Sequence, residues 1–256
     1  MKNKDKWLPM PRFLLRQNAL KKILKKLKLE NKKCLEMGFG AGENLKHIAQ
    51  KGAIVTGFDF SKKAAELAKQ RINGLDFTHK ITITENTGVL IESSFDMVFA
   101  FEVLEHIEED EKELDKWLSY VKPGGSLIMS VPAHMSKWNA SDVWAGHYRR
   151  YEKSDLKNMF LSRKLKIEKL WNYGFPLSII LDKILGSSKK MVLKKYTESL
   201  DKTKMSKNSG IDRKNKLIYR LISNNIVLYP FYLLQSAFYN KDIGSGYIVH
   251  VKKNEK

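Results

Sequence analysis

Cysteine is almost absent from this 256-residue chain, and no long apolar run stands at its start. Cys34 is the single thiol, which excludes an internal disulfide and indicates a reducing compartment. The opening residues, MKNKDKWLPMPRF, lack the apolar stretch of a signal peptide. We therefore expect a cytoplasmic protein.

Acidic residues are also scarce. The chain has 28 of them against 47 lysines and arginines, which gives a formal net charge of +19. A charge of this size is typical of proteins that bind nucleic acid or an anionic membrane surface. However, most of the basic residues are lysines spread along the whole chain, and no recognisable RNA-binding module is present. A solvated lysine-rich surface therefore explains the charge, and nucleic acid is not the expected partner.

An amphipathic helix is predicted near the start of the chain. Pro9 and Pro11 indicate an irregular opening. From Leu14 to Leu29, apolar residues recur at helical spacing among lysines. We predict that the N-terminal segment 1–30 is helical and covers an edge of the main fold. A lysine-rich helix of this kind also suits a membrane surface, and that alternative stays open.

Strand-like and helical patterns alternate through residues 31–173. The run FDMVFAF at 95–101 is almost wholly apolar, as in a central parallel strand covered on both faces. Alternation at this pace predicts an α/β fold, namely a doubly wound, seven-stranded, mostly parallel sheet with ligands at the carboxyl ends of its strands. The final strand is predicted within 244–256, where the sequence is GSGYIVHVKK.

Residues 174–243 exceed what such a sheet needs, and we predict that they form a helical insertion before the last strand. Its ends are apolar and aromatic, whereas 183–220 carries 12 basic and 3 acidic side chains. The stretch 221–240 is uncharged, but Pro230 in its middle argues against a membrane-spanning helix. We expect a helical cap over the active site, with contact to a bilayer surface as an alternative.

A glycine-rich turn follows the first predicted strand in the sequence LEMGFGAGEN. Glycines in a G-x-G-x-G pattern let the backbone turn sharply and approach a ligand closely. A dinucleotide fingerprint would need another glycine at position 43, where this chain has Glu43. Glu36 adds a second carboxylate before the turn, which favours a ligand with an ammonium or sulfonium charge. Asp59 lies 21 positions after Gly38, where an acid can meet ribose hydroxyls.

Four pieces of the chain resemble one family in order and spacing: LEMGFGAGEN, Asp59, FDMVFAFEVLEHI and PGG. They resemble the class I S-adenosylmethionine-dependent methyltransferases, and within them a bacterial small-molecule and lipid branch similar to the ubiquinone-biosynthesis methyltransferases. The resemblance implies a Rossmann-like methyltransferase fold and S-adenosyl-L-methionine as the cofactor. The cofactor-binding residues it implies are Glu36, Gly38, Gly40, Gly42, Asp59, Phe60, Asn86 and Glu102.

Each implied residue has a role in the resemblance. The three glycines would pass under the methionine part of the cofactor, with Glu36 near its ammonium group. Asp59 would accept hydrogen bonds from the ribose, and Phe60 would pack on the adenine. Asn86 stands where the family usually has an acid that contacts the adenine amine, and Glu102 would line the exposed side of the cofactor. Phe60 and Asn86 also fit ordinary packing and turn roles.

Two histidines are the predicted catalytic residues. Methyl transfer is an in-line displacement, and a hydroxyl acceptor needs a base for its proton. His106 in EVLEH and His147 in GHYRRY are the candidates. No metal ligand is assigned, but Glu102, Glu105 and His106 form an E-x-x-E-H string. That string resembles the metal-binding pattern of some small-RNA and ubiquinone-biosynthesis O-methyltransferases, and His147 would be a further ligand.

The arginines that follow His147 leave two alternatives open. Arg149 and Arg150 suit an anionic group of the substrate, phosphate or carboxylate, or one of them pairs with an acid of the protein and holds the loop.

The predicted function is therefore methyl transfer from S-adenosylmethionine, directed to an oxygen of a hydrophobic or amphipathic small molecule, lipid or envelope intermediate. The expected partner is that acceptor, with peripheral contact to the inner face of the membrane as an alternative. Two rivals stay open. One is an RNA methyltransferase, and the other is a catalytically inactive cofactor-binding scaffold at a membrane surface. The sequence does not indicate an oligomeric state.

Overall fold

The computed structural model describes residues 7–181 and 224–255. Its helices are α1 Pro11–Leu24, α2 Glu43–Ala49, α3 Lys62–Ile72, α4 Asp110–Tyr120, α5 Ala140–Ala145, α6 Lys153–Leu161 and α7 Asn225–Ala237. Its strands are β1 Lys33–Met37, β2 Ile54–Phe58, β3 Ile81–Thr84, β4 Phe95–Phe101, β5 Val121–Pro132, β6 Lys166–Tyr173 and β7 Gly246–Lys252. The strands alternate with helices through the predicted core, and α7 precedes the last strand.

The seven strands form one sheet in the order β3-β2-β1-β4-β5-β7-β6. Neighbouring strands are parallel from β3 to β5, whereas β7 is antiparallel to both β5 and β6. The order of the strands reverses between β1 and β4, and such a reversal opens a crevice beyond the carboxyl ends of both strands. The predicted fold class is confirmed, and the loops after β1, β2 and β4 meet at this crevice.

The first helix occupies different residues from those predicted. Helix α1 begins at Pro11 and ends at Leu24, not at Leu14 and Leu29. The sequence interpretation treated Pro11 as a breaker. Proline is well suited to the first turn of a helix, because its missing N–H would have no partner there and its φ is already helical. The helix packs on the sheet with Leu15 and Leu20 fully buried.

Strand β4 is apolar except for Asp96, because both of its faces are covered. Phe99 and Phe101 point to the side of the sheet that α1, α2 and α3 cover. Val98 and Ala100 point to the opposite side, where α4 contributes the fully buried Trp117. This two-sided burial fixes β4 in the centre of the sheet, so that the residues after Phe101 enter the crevice.

The structure describes 174–181 and 224–243 of the predicted insertion, and α7 lies in the second of these ranges, whereas the basic middle lies outside the described residues. Helix α7 packs against α1, and its Gln235 Nε2 donates to the Leu15 carbonyl oxygen at 3.1 Å and to Asn18 Oδ1 at 3.2 Å. Leu228 is buried on the same side. In the two described ranges, no helix has the length and apolar character that crossing a membrane requires.

Two adjacent residues of α6 test the packing under the sheet. Phe160 is fully buried, whereas Leu161 is 59% exposed. We expect Phe160→Ala to lower the free energy of unfolding by about 3–5 kcal/mol, because it leaves a cavity. Leu161→Ala is the matched control and should change it by about 0.5 kcal/mol or less. Urea denaturation measures both, and equal losses would contradict this packing.

Candidate functional site

The glycine turn after β1 uses its three glycines for different reasons. Gly38, Gly40 and Gly42 all have left-handed backbones, with φ of 68°, 54° and 72°. A Cβ at Gly38 would lie 2.5 Å from Val103 Cγ2, and one at Gly42 would lie 2.9 Å from Ala68 Cβ. A Cβ at Gly40 would meet nothing within 4 Å. Gly38 and Gly42 are therefore needed because neighbouring side chains leave no room for a Cβ, whereas Gly40 borders open space.

Glu36 is buried beneath this turn. Gln17 Nε2 donates to Asn44 Oδ1 at 2.6 Å, and Asn44 Nδ2 donates to Glu36 Oε1 at 2.8 Å. The other carboxylate oxygen, Oε2, is buried and has no hydrogen-bond partner. Burial raises the pKa of Glu36 to about 8. A cation at Oε2 would supply the missing partner and favour the ionised form.

Asp59 lies directly after β2 and joins two loops. Its Oδ2 accepts from the Gly40 N–H at 2.9 Å, and its Oδ1 accepts from the Ser61 N–H at 2.9 Å. Burial raises its pKa above the ordinary value. Each oxygen of a carboxylate has a second acceptor site, so Asp59 can still bind hydroxyls. Phe60 follows it with its ring half exposed.

Asn86 occupies the turn after β3. Its Oδ1 accepts from the Gly88 N–H at 2.8 Å and caps a short 3₁₀ turn. The structure therefore gives this side chain a local role, and its predicted contact with a cofactor adenine remains a prediction.

Glu102, the first residue after β4, has a left-handed backbone with φ of 57°. That conformation is unfavourable for a residue with a Cβ and is found where the surroundings hold it in place. Its Oε1 accepts from Ser130 Oγ at 2.8 Å and from the Tyr173 hydroxyl at 3.0 Å. Arg16 Nη1 of helix α1 lies 3.7 Å from the same oxygen. Glu102 is thus held from three elements at the mouth of the crevice.

The sequence interpretation missed Arg16 and Gln17. Both are buried, with 8% and 6% of their surface exposed. The Arg16 guanidinium lies 5.0 Å from the ring centroid of Phe13 and 5.6 Å from that of Phe101, between the helix and the crevice. No local signal in the sequence indicated their burial, because polar residues of an amphipathic helix normally face solvent. Helix α1 therefore forms a wall of the site as well as covering the sheet.

A second group of side chains surrounds Glu105, three residues beyond Glu102. Glu105 is fully buried, and neither carboxylate oxygen has a hydrogen-bond partner. His106 Nε2 and His147 Nε2 lie 4.0 Å and 3.9 Å from Glu105 Oε1. These three side chains offer ligand atoms within 4.8 Å of one another, the geometry of a candidate metal site. Glu102 is not among them, so the predicted E-x-x-E-H string contributes only its last two residues.

Burial changes the protonation of this group. It raises the pKa of Glu105 well above the ordinary value, and the nearby Glu102 charge adds to the effect. It lowers the pKa of His106 to about 3, with His147 adding to the shift. His106 is therefore a neutral imidazole at pH 7. This is the state that can bind a cation.

Asp142 fixes the orientation of His147. Its Oδ1 lies 2.9 Å from His147 Nδ1, which leaves Nε2 directed at Glu105. Arg150 clamps the same carboxylate from the other side, with Nε and Nη2 donating at 2.9 Å and 2.8 Å. Together these contacts hold the pKa of Asp142 at about 2, despite its burial. A carboxylate behind a histidine is the usual support of a metal-binding imidazole.

The two arginines of the loop are thereby explained. Arg150 pairs with Asp142, and Arg149 Nη1 donates to Asp110 Oδ1 at 2.6 Å. Of the two alternatives from the sequence, pairing with acids of the protein is correct for both residues, because each acid is buried and needs a counter-charge.

Comparison with known proteins identifies the class. A methyltransferase domain family matches residues 12–170 of this chain. The match takes in more than half of the sequence and includes α1 from its second residue, the glycine turn, Asp59, His106 and His147. The chain belongs to this family. The predicted resemblance to class I S-adenosylmethionine-dependent methyltransferases is confirmed, and so is the cofactor that it implies.

Curated relatives share part of the sequence. A protein from Azoarcus sp. (strain BH72) named ubiquinone biosynthesis O-methyltransferase is 34% identical over 105 residues, which cover 40% of this chain and 45% of that protein. A protein of the same name from Coxiella burnetii (strain RSA 493 / Nine Mile phase I) is 30% identical over 133 residues, covering 50% of this chain and 56% of that protein. The chain thus spans about half the length of the curated relatives that it matches.

Solved structures share the fold. An S-adenosylmethionine-dependent methyltransferase from Mesorhizobium loti superposes with a TM-score of 0.57 at 14% identity, covering 95% of this chain and 98% of that one. Phosphoethanolamine N-methyltransferase 2 from Haemonchus contortus, in complex with S-adenosyl-L-methionine, gives 0.58 at 17% identity, covering 93% and 52%. At such identities the likeness concerns the fold alone.

Two glycines with similar left-handed backbones test the predicted cofactor cleft. Gly40 and Gly74 both have positive φ, and a Cβ at either position would meet nothing within 4 Å. Alanine should therefore cost each variant a similar 1–2 kcal/mol or so of stability. We expect only Gly40→Ala to weaken S-adenosylmethionine binding, by about tenfold or more, because only its added methyl group enters the cleft. Calorimetric titration measures this, and equal affinities in the two variants would contradict it.

Proposed function

We propose that this protein transfers the methyl group of S-adenosylmethionine to an oxygen of a hydrophobic or amphipathic small molecule or lipid, assisted by a divalent cation. The observation that carries the proposal is Glu105. It is a fully buried carboxyl group without a hydrogen-bond partner, and two imidazole nitrogens face one of its oxygens. Buried groups of this kind are normally satisfied by a partner, and a cation would satisfy this one.

The cofactor cleft offers complementary groups for each part of S-adenosylmethionine. The unpartnered oxygen of Glu36 suits its ammonium group, and the buried guanidinium of Arg16 suits its carboxylate. Asp59 retains acceptor sites for the ribose hydroxyls. Phe60 and Asn86 lie at the adenine end of the cleft in this proposal. The ammonium and carboxylate groups are bonded to the same α-carbon, so contacts with Glu36 and Arg16 would fix the orientation of that end of the cofactor.

A carboxylate and two imidazoles form a ligand set that suits Zn²⁺, Fe²⁺ or Mn²⁺. The residues that would hold the cation are Glu105, His106 and His147. When bound, a divalent cation orients the oxygens of an acceptor and lowers the pKa of a hydroxyl. This chemistry favours an oxygen acceptor, as does the O-methyltransferase name of the curated relatives.

The protein's own residues would then align the two reactants and exclude water from the site. Asp142 keeps His147 in one tautomer, with Nδ1–H donating and Nε2 free to bind. Tyr173 and Ser130 hold the carboxylate of Glu102 at the crevice mouth. In this proposal the two histidines predicted as bases act as ligands instead. Since methyl transfer is an in-line displacement, positioning the two reactants supplies most of the acceleration.

Removal of Glu105 tests the cation site. We expect the purified protein to bind Co²⁺ or Zn²⁺ and Glu105→Gln to bind it at least about tenfold more weakly, because a carboxylate ligand is lost. Glu108→Gln, at an exposed acid three residues further on, is the matched control. Calorimetry and the visible spectrum of Co²⁺ report binding without turnover. Equal binding by the two variants would contradict the site, and cofactor binding should persist in both.

An acceptor screen tests the reaction itself. Incubation of the protein with methyl-labelled S-adenosylmethionine and a bacterial lipid extract should label a hydroxyl-bearing amphipathic compound, and a chelator should abolish the labelling. Mass spectrometry and nuclear magnetic resonance of the product identify the methylated atom. Label on nitrogen or on RNA would contradict the proposal. Cofactor binding without labelling of any acceptor would support the inactive scaffold.

A further inference from the structure

Helix α7 exposes apolar side chains along its whole length. None of its 13 residues is charged. Ile226, Tyr229 and Leu233 are 82%, 60% and 57% exposed, and Val227 and Leu234 are 51% and 43% exposed. A contiguous apolar surface of this kind marks a site of interaction. It lies outside residues 12–170, so it is a feature of this chain and not of the matched family domain.

The orientation of α7 is fixed by its opposite side. Leu228 and Gln235 are 2% and 1% exposed. The Gln235 side chain bridges two elements, since Nε2 donates to the Leu15 carbonyl oxygen and Oε1 accepts from the Gly174 N–H at 3.1 Å. Rotating the helix would break these buried hydrogen bonds. The apolar face is therefore held outward by specific contacts.

Positive charges adjoin this apolar face. Lys22 of α1 donates to Ser236 Oγ, and its Nζ lies 5.5 Å from the ring centroid of Tyr239. Lys25, directly after the last residue of α1, is exposed about one turn from Lys22, and Lys241 is exposed in the segment after α7. Neither helix contains an acidic residue. The surface thus combines an uncharged apolar centre with a cationic border.

We propose that this surface, the exposed face of α7 with the lysines of α1, docks on the surface of an anionic lipid bilayer. Apolar side chains would enter the boundary between headgroups and acyl chains, and the lysines would meet lipid phosphates. A helix of 13 residues is about 20 Å long, shorter than the hydrocarbon core of about 30 Å. The helix would therefore lie in the plane of the interface.

Charge favours an anionic bilayer over two other possible occupants of this surface, a second copy of the chain and the sequence 183–220. A second copy of the chain would bring the same cationic border against itself. The sequence 183–220, with 12 basic and 3 acidic residues, has the same sign of charge as the lysines and does not complement them. An anionic bilayer complements both the apolar centre and the charged border.

The surface is also close to the candidate site. Gln235 holds Gly174, and the neighbouring Tyr173 donates to Glu102 at the crevice mouth. Docking would bring the crevice close to the lipid, because Gln235 and Tyr173 connect α7 with its mouth. An amphipathic acceptor would then reach it without crossing bulk water. The inference stands without the proposed chemistry, since its test measures binding only.

Vesicle flotation of the full chain is the test. We expect binding to vesicles of phosphatidylcholine with phosphatidylglycerol, weaker binding to phosphatidylcholine alone, and a decrease at high salt. The variant with Ile226→Glu and Leu233→Glu should bind at least about tenfold more weakly, because two apolar side chains no longer enter the lipid. Leu161→Glu, at a 59% exposed leucine of α6, is the matched control and should bind like the parent.

Three outcomes would overturn the inference. They are absence of binding to anionic vesicles, equal binding by the α7 variant and its control, and a dimer in sedimentation that only the α7 variant abolishes. Cofactor titration of each variant confirms that it is folded. A Tyr229→Trp variant gives an independent readout, because brominated lipids should quench its added fluorescence if α7 enters the bilayer. If brominated lipids do not change the fluorescence of this variant, the proposal is likewise contradicted.

Discussion

A carboxyl group buried without a hydrogen-bond partner destabilises a fold by about 1–3 kcal/mol or more, because it has lost water and gained nothing in return. Glu105 is such a group, and the elements around it follow from its position. Strand β4, buried on both faces, delivers it to the crevice. The loop after β5 returns over it with His147, and Asp142 with Arg150 keeps that loop in place. The proposed cation at its centre would offset this cost.

In the proposed site, the residues after β4 serve two halves. Glu102, in its strained left-handed backbone, would face the cofactor and is held by Ser130 and Tyr173. Glu105, three positions further, faces the two histidines. Strain of this kind is maintained only where the surroundings over-determine the conformation, and it pre-organises a site before any ligand arrives. The short segment from Glu102 to Glu105 thus connects the proposed site of the methyl donor with that of the acceptor.

Much of the fold was predictable because its signals are local. The alternation of strands and helices, the apolar run of β4 and the glycine turn each depend on neighbouring residues, and the sheet confirms them. Helix α1 was misplaced because proline was interpreted as a breaker where it begins a helix. Arg16 was missed for a different reason. A buried arginine has no local signature, and only the packing of α1 over the crevice shows that it faces Glu102.

The sequence by itself determined the class of this protein, its sheet and the residues of its glycine turn, since backbone conformation and hydrophobic periodicity are encoded at short range. Only the tertiary structure decided which polar residues meet. It separated Glu102 from Glu105, brought His147 to within 3.9 Å of a carboxylate 42 positions earlier, and paired Arg150 with Asp142. Contacts between distant segments depend on how helices and loops pack, and side-chain spacing along the chain does not record that packing.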